Sequence, residues 1–213
     1  MQTCPLCAAA DTRHFHRDRR RDYWRCARCA LVFVPAEQRL DAREERAVYD
    51  QHENSPEDPG YRRFLSRLYD PLRERLAPGA RGLDFGAGPG PTLSVMFEEA
   101  GYPMAIYDPF YAPDASVLEQ TYDFITASEV VEHLFAPGEE LTRLAGLLRP
   151  GGWLGLMTCF QTDDAQFADW QYRKDPTHVV FYRAETMAHI AAARGWSCTI
   201  PCKDVALMQV PAP

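Results

Sequence analysis

Lysine is nearly missing from this 213-residue chain: of 23 basic residues, only Lys174 and Lys203 are lysines. With 30 acidic residues the formal charge is −7, so the chain as a whole is not a polybasic nucleic-acid binder. The arginine bias itself carries no functional weight, because a GC-rich genome produces it. Long apolar runs are absent. The longest, Trp153 to Phe160, is broken by Gly155 and Thr158, far short of the roughly 20 residues that span a bilayer. The first residues, Met1-Gln2-Thr3-Cys4-Pro5, show no charged-then-apolar leader. A cytoplasmic soluble protein with no membrane partner is therefore predicted. Internal repeats and low-complexity tracts are also missing, which excludes repeat and fibrous architectures. What is present is ordinary for a folded domain: 46% hydrophobic and 25% charged residues, which excludes bulk disorder. At about 150 residues per domain, the length allows one full domain and a small extra module.

Cysteine is not scarce, and it is patterned. Cys4-Pro5-Leu6-Cys7 and Cys26-Ala27-Arg28-Cys29 are two CxxC pairs with a polar loop between them. Each pair puts two thiolates on one tight turn, and two facing turns make a tetrahedral sulfur site suited to zinc. A disulfide reading is weaker, because nothing points to an oxidising compartment. A ribbon that has lost its metal is the plain alternative. The apolar tail Leu31-Val32-Phe33-Val34 suits a knuckle followed by a strand, so this zinc-ribbon-like module spans residues 1–35 and is expected to fold apart from the rest. His14 and His16 fall in its loop and are expected to face solvent. Cys159, Cys198 and Cys202 have no CxxC partner and read as buried free thiols. The module holds seven arginines against three aspartates, so the net negative charge lies in the rest of the chain.

Residues 36–60 are polar and proline-bearing. They form a linker with a short helix over 41–49 and a candidate cover at Tyr49 and His52. From Tyr61 to Leu76, Phe64, Leu65, Leu68, Leu72 and Leu76 recur at helical spacing, with Pro71 expected to kink or split the helix. Strand and helix then alternate. Strands are predicted at Gly82–Ala87, Met104–Tyr107, Tyr122–Ala127, Trp153–Cys159, Ser197–Cys202 and Val205–Val210. Helices are predicted at Thr92–Ala100, after Ser128, at Leu141–Leu148 and at Ala184–Ala193. The fold class is α/β: a mostly parallel sheet with helices on both faces.

Leu83-Asp84-Phe85-Gly86-Ala87-Gly88-Pro89-Gly90 is a strand entering a glycine-rich turn. Glycine lets the backbone approach a ligand closely and takes positive φ without penalty. Asp108 ends the next strand, where a carboxylate can accept ribose hydroxyls. A dinucleotide GxGxxG would need glycine at 91, which is Pro91. Pro89 and Pro91 also restrict the amides that a pyrophosphate would use. A nucleoside-type cofactor without phosphate is favoured.

Asp84 with the GxGxG of Gly86, Gly88 and Gly90, then Asp108, Tyr122-Asp123-Phe124-Ile125-Thr126-Ala127 and Leu148-Arg149-Pro150-Gly151-Gly152, resembles the class I S-adenosylmethionine-dependent methyltransferases. The resemblance covers roughly residues 61–210 and implies a Rossmann-like sheet. It implies S-adenosylmethionine as cofactor, held by Asp84, Gly86, Gly88, Gly90, Asp108, Ser128 and Glu129. One departure stands out. The stretch from Asp108 to Asp123 is short, where the family usually fits a helix and a third strand. That strand is expected to be missing or vestigial.

Ser128-Glu129-Val130-Val131-Glu132-His133 follows the fourth strand. On a helix, Glu129, Glu132 and His133 would share a face, and His178, after the fifth strand, would return to the same edge. These four could hold a divalent ion such as Mg²⁺, Mn²⁺ or Co²⁺. They look like the ExxEH motif with a downstream His of metal-dependent small-RNA 2′-O-methyltransferases, and a related element occurs in ubiquinone-pathway O-methyltransferases. Metal-free relatives carry a Glu-His pair here as cavity lining. His133 and His178 are the candidate general bases, with Trp170, Tyr172 and Tyr182 as candidate cavity walls.

Three functions remain open on the sequence. The first is a methyltransferase acting on a hydroxyl or carbon of a small molecule; the N-terminal CxxC pairs resemble those of some sugar C-methyltransferases. The second is an RNA methyltransferase whose Arg13, Arg17, Arg19, Arg20, Arg21, Arg25 and Arg28 grip phosphates. The third is a non-catalytic binding protein, which the intact Asp84, glycine loop and Asp108 disfavour.

Overall fold

The computed structural model describes residues 2–51 and 54–213. In chain order the strands are β1 (Thr12–Arg17), β2 (Asp22–Cys26) and β3 (Val32–Phe33), followed by helices α1 (Ala42–Tyr49) and α2 (Pro59–Arg73). Then come β4 (Gly82–Phe85), α3 (Thr92–Glu99), β5 (Met104–Tyr107), β6 (Tyr122–Ser128), α4 (Pro137–Leu147) and β7 (Leu148–Met157). The chain closes with β8 (Val180–Phe181), α5 (Ala184–Ala192), β9 (Ser197–Cys202) and β10 (Val205–Gln209). No helix among the described residues is long and apolar enough to cross a membrane.

The main sheet has six strands in the order β5-β4-β6-β7-β10-β9. Its first four are parallel, and β10 runs antiparallel between β7 and β9. All four residues of β4 are buried, as a central parallel strand covered on both faces requires. The α/β class read from the alternation is the observed one. Between Asp108 and β6 the described chain makes only a short 3₁₀ turn, Ala115–Glu119, so the expected loss of the third strand is what the structure shows. The connection from β5 to β6 is too short to hold both a helix and a returning strand.

Local chemistry sets the helix ends. Asp41 caps α1, accepting from the Arg43 and Glu44 amides while Glu44 reaches back to the Asp41 amide. Helix α2 presses Leu65, Leu68, Tyr69 and Leu72 on the sheet. It neither splits nor stops at Pro71 but ends two residues later. Proline removes the N–H that would have bonded the Arg67 carbonyl. The half-buried Cys202 sulfur lies 4.0 Å from that carbonyl, and its thiol has a shorter contact, 3.3 Å, with Asp204 Oδ1. The helix expected from Ser128 is replaced by one 3₁₀ turn, Val131–His133. Strand β6 runs on through Ser128, and the Glu129 amide still bonds the Met157 carbonyl at 2.8 Å, so the chain leaves the sheet too late for a helical turn to include Glu129. Pro150, Gly151 and Gly152 lie inside β7, and the pairing of β7 with β6 skips between Tyr122 and Phe124.

The second sheet has the order β1-β2-β3-β8. Its last strand comes from the far end of the sequence: Val32 pairs with Phe181 and Phe33 with Val180. Tyr23, Val32, Phe33, Val180 and Phe181 are buried in the same apolar cluster as Leu83, Ile125 and Leu154 of the main sheet.

Candidate active site

Strand β4 delivers the glycine loop. Gly86 has φ +76° and Gly88 φ +63°, a region that L side chains rarely adopt. A Cβ on Gly86 would strike the Val130 side chain, whereas one on Gly88 would meet only open space, so the backbone at Gly88 is bare toward the cleft. The Gly86 and Ala87 amides bond the Tyr107 carbonyl at 2.7 and 3.2 Å, locking the loop to the end of β5. There Asp108 is buried, and its carboxylate accepts from the amides of Gly88 (2.9 Å), Phe110 (2.8 Å) and Tyr111 (3.0 Å). Asp84 sits beneath, accepting the Thr126 hydroxyl at 2.7 Å, and burial pushes its carboxyl up to about 7.

A cleft of about 880 Å³ opens over this loop. Asp84, Gly86, Gly88, Gly90, Asp108, Ser128 and Glu129 all line it, as do His133 and His178. The buried Ser128 hydroxyl has no hydrogen-bond partner among the described residues. From α1, Glu45 and Tyr49 form part of the wall. His52 lies outside the described residues. Burial raises the Glu45 carboxyl to about 7.

Glu129 does not join the other candidate ligands. The atoms that converge are one carboxylate oxygen of Glu132 and one ring nitrogen each of His133 and His178, all within 4.8 Å of one another; the Glu129 carboxyl, on a residue with φ +53°, stays outside that group although it interacts with Tyr172 and Glu132. The expected four-residue constellation is therefore three residues, and its basis is a 3₁₀ turn and a loop rather than a helix face. Burial raises the carboxyls of both Glu129 and Glu132. Glu132 is fully buried; its Oε1 accepts the Tyr172 hydroxyl at 2.5 Å, and its Oε2 has no hydrogen-bond partner among the described residues.

The imidazole protons follow from their partners. His178 Nδ1 lies 2.7 Å from the Tyr172 carbonyl, and His133 Nδ1 lies 3.2 Å from the Thr177 carbonyl. A carbonyl only accepts, so both Nδ1 atoms carry hydrogen and both Nε2 atoms keep a lone pair when the rings are neutral. Burial lowers the His178 pKa, against the pull of Glu132. The two rings stand 4.7 Å apart, and Tyr49 meets His133 edge-on at 5.3 Å.

Of the aromatic walls, Tyr172 lines the cleft. Tyr182 is fully buried and donates to the Val131 carbonyl at 3.1 Å, holding the 3₁₀ turn from behind. Trp170 packs on Tyr172 and Phe181. The cysteines of the two CxxC pairs meet: Cys4 and Cys29 Sγ are 3.6 Å apart, Cys7 and Cys26 Sγ 3.5 Å, and all four lie within 4.8 Å of one another. Thiolates about 2.3 Å from a tetrahedral zinc stand about 3.8 Å apart, close to these separations. His14 is exposed and paired with Asp22 at 2.9 Å, whereas His16 is half-buried against Tyr23 and Phe167. Cys159 and Cys198 are half-buried free thiols.

Sequence reasoning missed Glu45, Thr158 and the inward role of Arg21. Glu45 stands in a polar run, and only the docking of α1 makes it a wall. Thr158 bonds the Tyr172 hydroxyl at 2.9 Å. Nothing in the local pattern at Arg21 signals burial.

The family model described as "Methyltransferase domain" matches residues 60–199. This chain belongs to that methyltransferase family. No curated protein matches it. Among solved structures, an O-methyltransferase family protein from Burkholderia thailandensis is similar over 81% of this chain and 60% of its own, at 17% identity and TM-score 0.54. This methyltransferase chain thus spans less than two thirds of that protein's length. The BH2331 protein of Bacillus halodurans C-125 is similar over 64% of this chain and 67% of its own, at 16% identity and TM-score 0.52. At these identities the likeness is one of fold, and it agrees with the Rossmann-like sheet described above.

Proposed function

We propose that this methyltransferase uses S-adenosylmethionine to methylate a hydroxyl or carbon of a small molecule. The observation that carries the reading is the loop around Gly88: bare backbone facing a cleft, backed by Asp108 at the end of the neighbouring strand. When bound, the cofactor supplies an activated methyl group on a sulfonium. Asp108 accepts from the ribose hydroxyls, while Asp84, Ser128 and Glu129 provide acceptors beside the loop. A carboxylate offers about four lone-pair positions, and backbone amides occupy three at Asp108, so the ribose shares an oriented carboxylate. His178 or His133 removes the acceptor's proton through its unprotonated Nε2. A positioned base of this kind contributes about 10²–10⁴ in rate.

A second reading of the three-residue cluster is a divalent ion, favoured by the convergence of one carboxylate and two Nε2 lone pairs and by the orphaned Glu132 Oε2. With one carboxylate and two imidazoles among the converging atoms, the donor set suits Mn²⁺ or Co²⁺ better than Mg²⁺, which prefers oxygen. Zinc on Cys4, Cys7, Cys26 and Cys29 is proposed as structural. In this reading residues 1–35 are a metal-held scaffold, 36–60 cover the cleft, and 61–213 carry the chemistry. The RNA alternative loses ground because Arg25 is buried in a bidentate pair with Asp164 (2.5 and 2.6 Å) and Arg21 points inward, leaving fewer arginines for phosphates. Native mass spectrometry with and without S-adenosylmethionine and a chelator tests the reading. One cofactor and one zinc per chain are expected; no cofactor adduct would contradict it.

A further inference from the structure

Arg21 is only 8% exposed, and its guanidinium is spent on one short stretch of backbone. It donates to the carbonyls of His178 (2.9 Å), Asp175 (3.1 Å), Pro176 (3.3 Å) and Arg173. This stretch belongs to the loop that leads into β8. That loop supplies the Tyr172 and Thr177 carbonyls, which fix the ring orientation and proton position of His178 and His133. Its other side is tied to the same cluster, because the Val179 amide bonds the Glu132 carbonyl at 2.9 Å.

Arg21 is itself held. Asp18 accepts the Arg20 and Arg21 amides at 2.8 Å each, and it also accepts the Tyr23 hydroxyl at 2.9 Å and Arg173 at 2.6 Å. The turn between β1 and β2 therefore grips the loop twice, through Arg21 on its backbone and through Asp18 on Arg173. A planar guanidinium with five N–H donors suits four converging carbonyls; an ammonium has three donors and no plane.

We propose that Arg21 is a positioning residue for the methyl-transfer site: it sets the loop whose carbonyls keep Nδ1 of His178 and His133 protonated and Nε2 unprotonated toward the cleft. The role rests on the methyltransferase reading. Through it the N-terminal ribbon is part of the active-site architecture, although none of its described residues up to Arg28 lines the cleft. Removing Arg21 leaves four carbonyls of the loop without this donor. The loop then relaxes, and both imidazoles lose their fixed acceptors.

Long-range ¹H–¹⁵N spectra of histidine-labelled full chain read the proton position on each ring. The wild type is expected to show protonated Nδ1 and unprotonated Nε2 at His133 and His178. In Arg21→Ala those signals should shift or average between tautomers, while His189, on α5, stays put. Guanidinium ion added at non-denaturing concentration should restore them, and Arg21→Lys should restore them in part. S-adenosylhomocysteine affinity should stay within about twofold, since the glycine loop shares no partner with Arg21. Unchanged His133 and His178 signals in Arg21→Ala overturn the proposal. So does loss of these signals together with the cooperative thermal transition in both Arg21→Ala and Arg21→Lys, because that marks a general structural role. If wild type fails to bind S-adenosylhomocysteine, the methyltransferase reading falls, and the histidine spectra still decide whether Arg21 sets the rings.

Discussion

The Tyr172 hydroxyl donates to Glu132 Oε1 at 2.5 Å. Burial holds the carboxyl of Glu132 and the phenol of Tyr172 each above its ordinary pKa, so this bond stands where water would otherwise be needed. Tyr172→Phe removes the donor and leaves a buried carboxyl with both oxygens poorly satisfied. The variant should lose about 1–3 kcal/mol of stability, measured by urea denaturation. A loss within about 0.5 kcal/mol, the range of an ordinary surface substitution, would show that Glu132 finds another partner.

Asp84 makes stability depend on pH. Its folded-state pKa is raised from 3.8 to about 7 by burial, so the folded chain holds a proton that the unfolded chain releases. That contribution is fully present below about pH 4 and is lost as pH rises through 7. At about 1.4 kcal/mol per pH unit, the loss is bounded at about 4 kcal/mol. Asp84→Asn keeps an acceptor for Thr126 and should lessen the fall in stability between pH 4 and 7, leaving the share due to Glu45, Glu129 and Glu132, whose carboxyls burial also raises. An unaltered slope across a series of urea titrations would show that other groups set it.

The CxxC cluster should govern more than the ribbon. Strand β8 completes the ribbon sheet, and Phe181 shares one buried cluster with Tyr23 and Phe33. Removing zinc from a structural site forfeits a binding free energy of about 10–16 kcal/mol in isolated fingers. Cys26→Ser or chelation should therefore lower the thermal midpoint of the whole chain in one transition. Two separate transitions, with the main-sheet transition unmoved, would show that the ribbon unfolds alone.

Much of this fold was legible because its signals are local. Apolar periodicity marked α2, and glycine punctuation marked β4 and its turn. The short gap from Asp108 to Asp123 announced the lost third strand. The glycine loop and Asp108 were legible for the same reason, since a turn and a strand end place them. What escaped depends on contacts remote in sequence. Glu129, Glu132 and His133 have helical spacing, but the β6 ladder reaches the Glu129 amide and the helix never starts. Arg21 reads as one of seven exposed arginines until the loop 155 residues away closes on it. The pairing of β3 with β8 has no signature in either short segment.

Calorimetry with S-adenosylhomocysteine reads the cofactor site itself. One-to-one binding by the wild type is expected. Asp108→Ala should weaken that binding by about 1.5–3 kcal/mol, a factor of roughly 10–150, because a charged acceptor is lost from the ribose. Equal affinity of wild type and Asp108→Ala, or tight binding of NAD in place of S-adenosylhomocysteine, would contradict the S-adenosylmethionine reading.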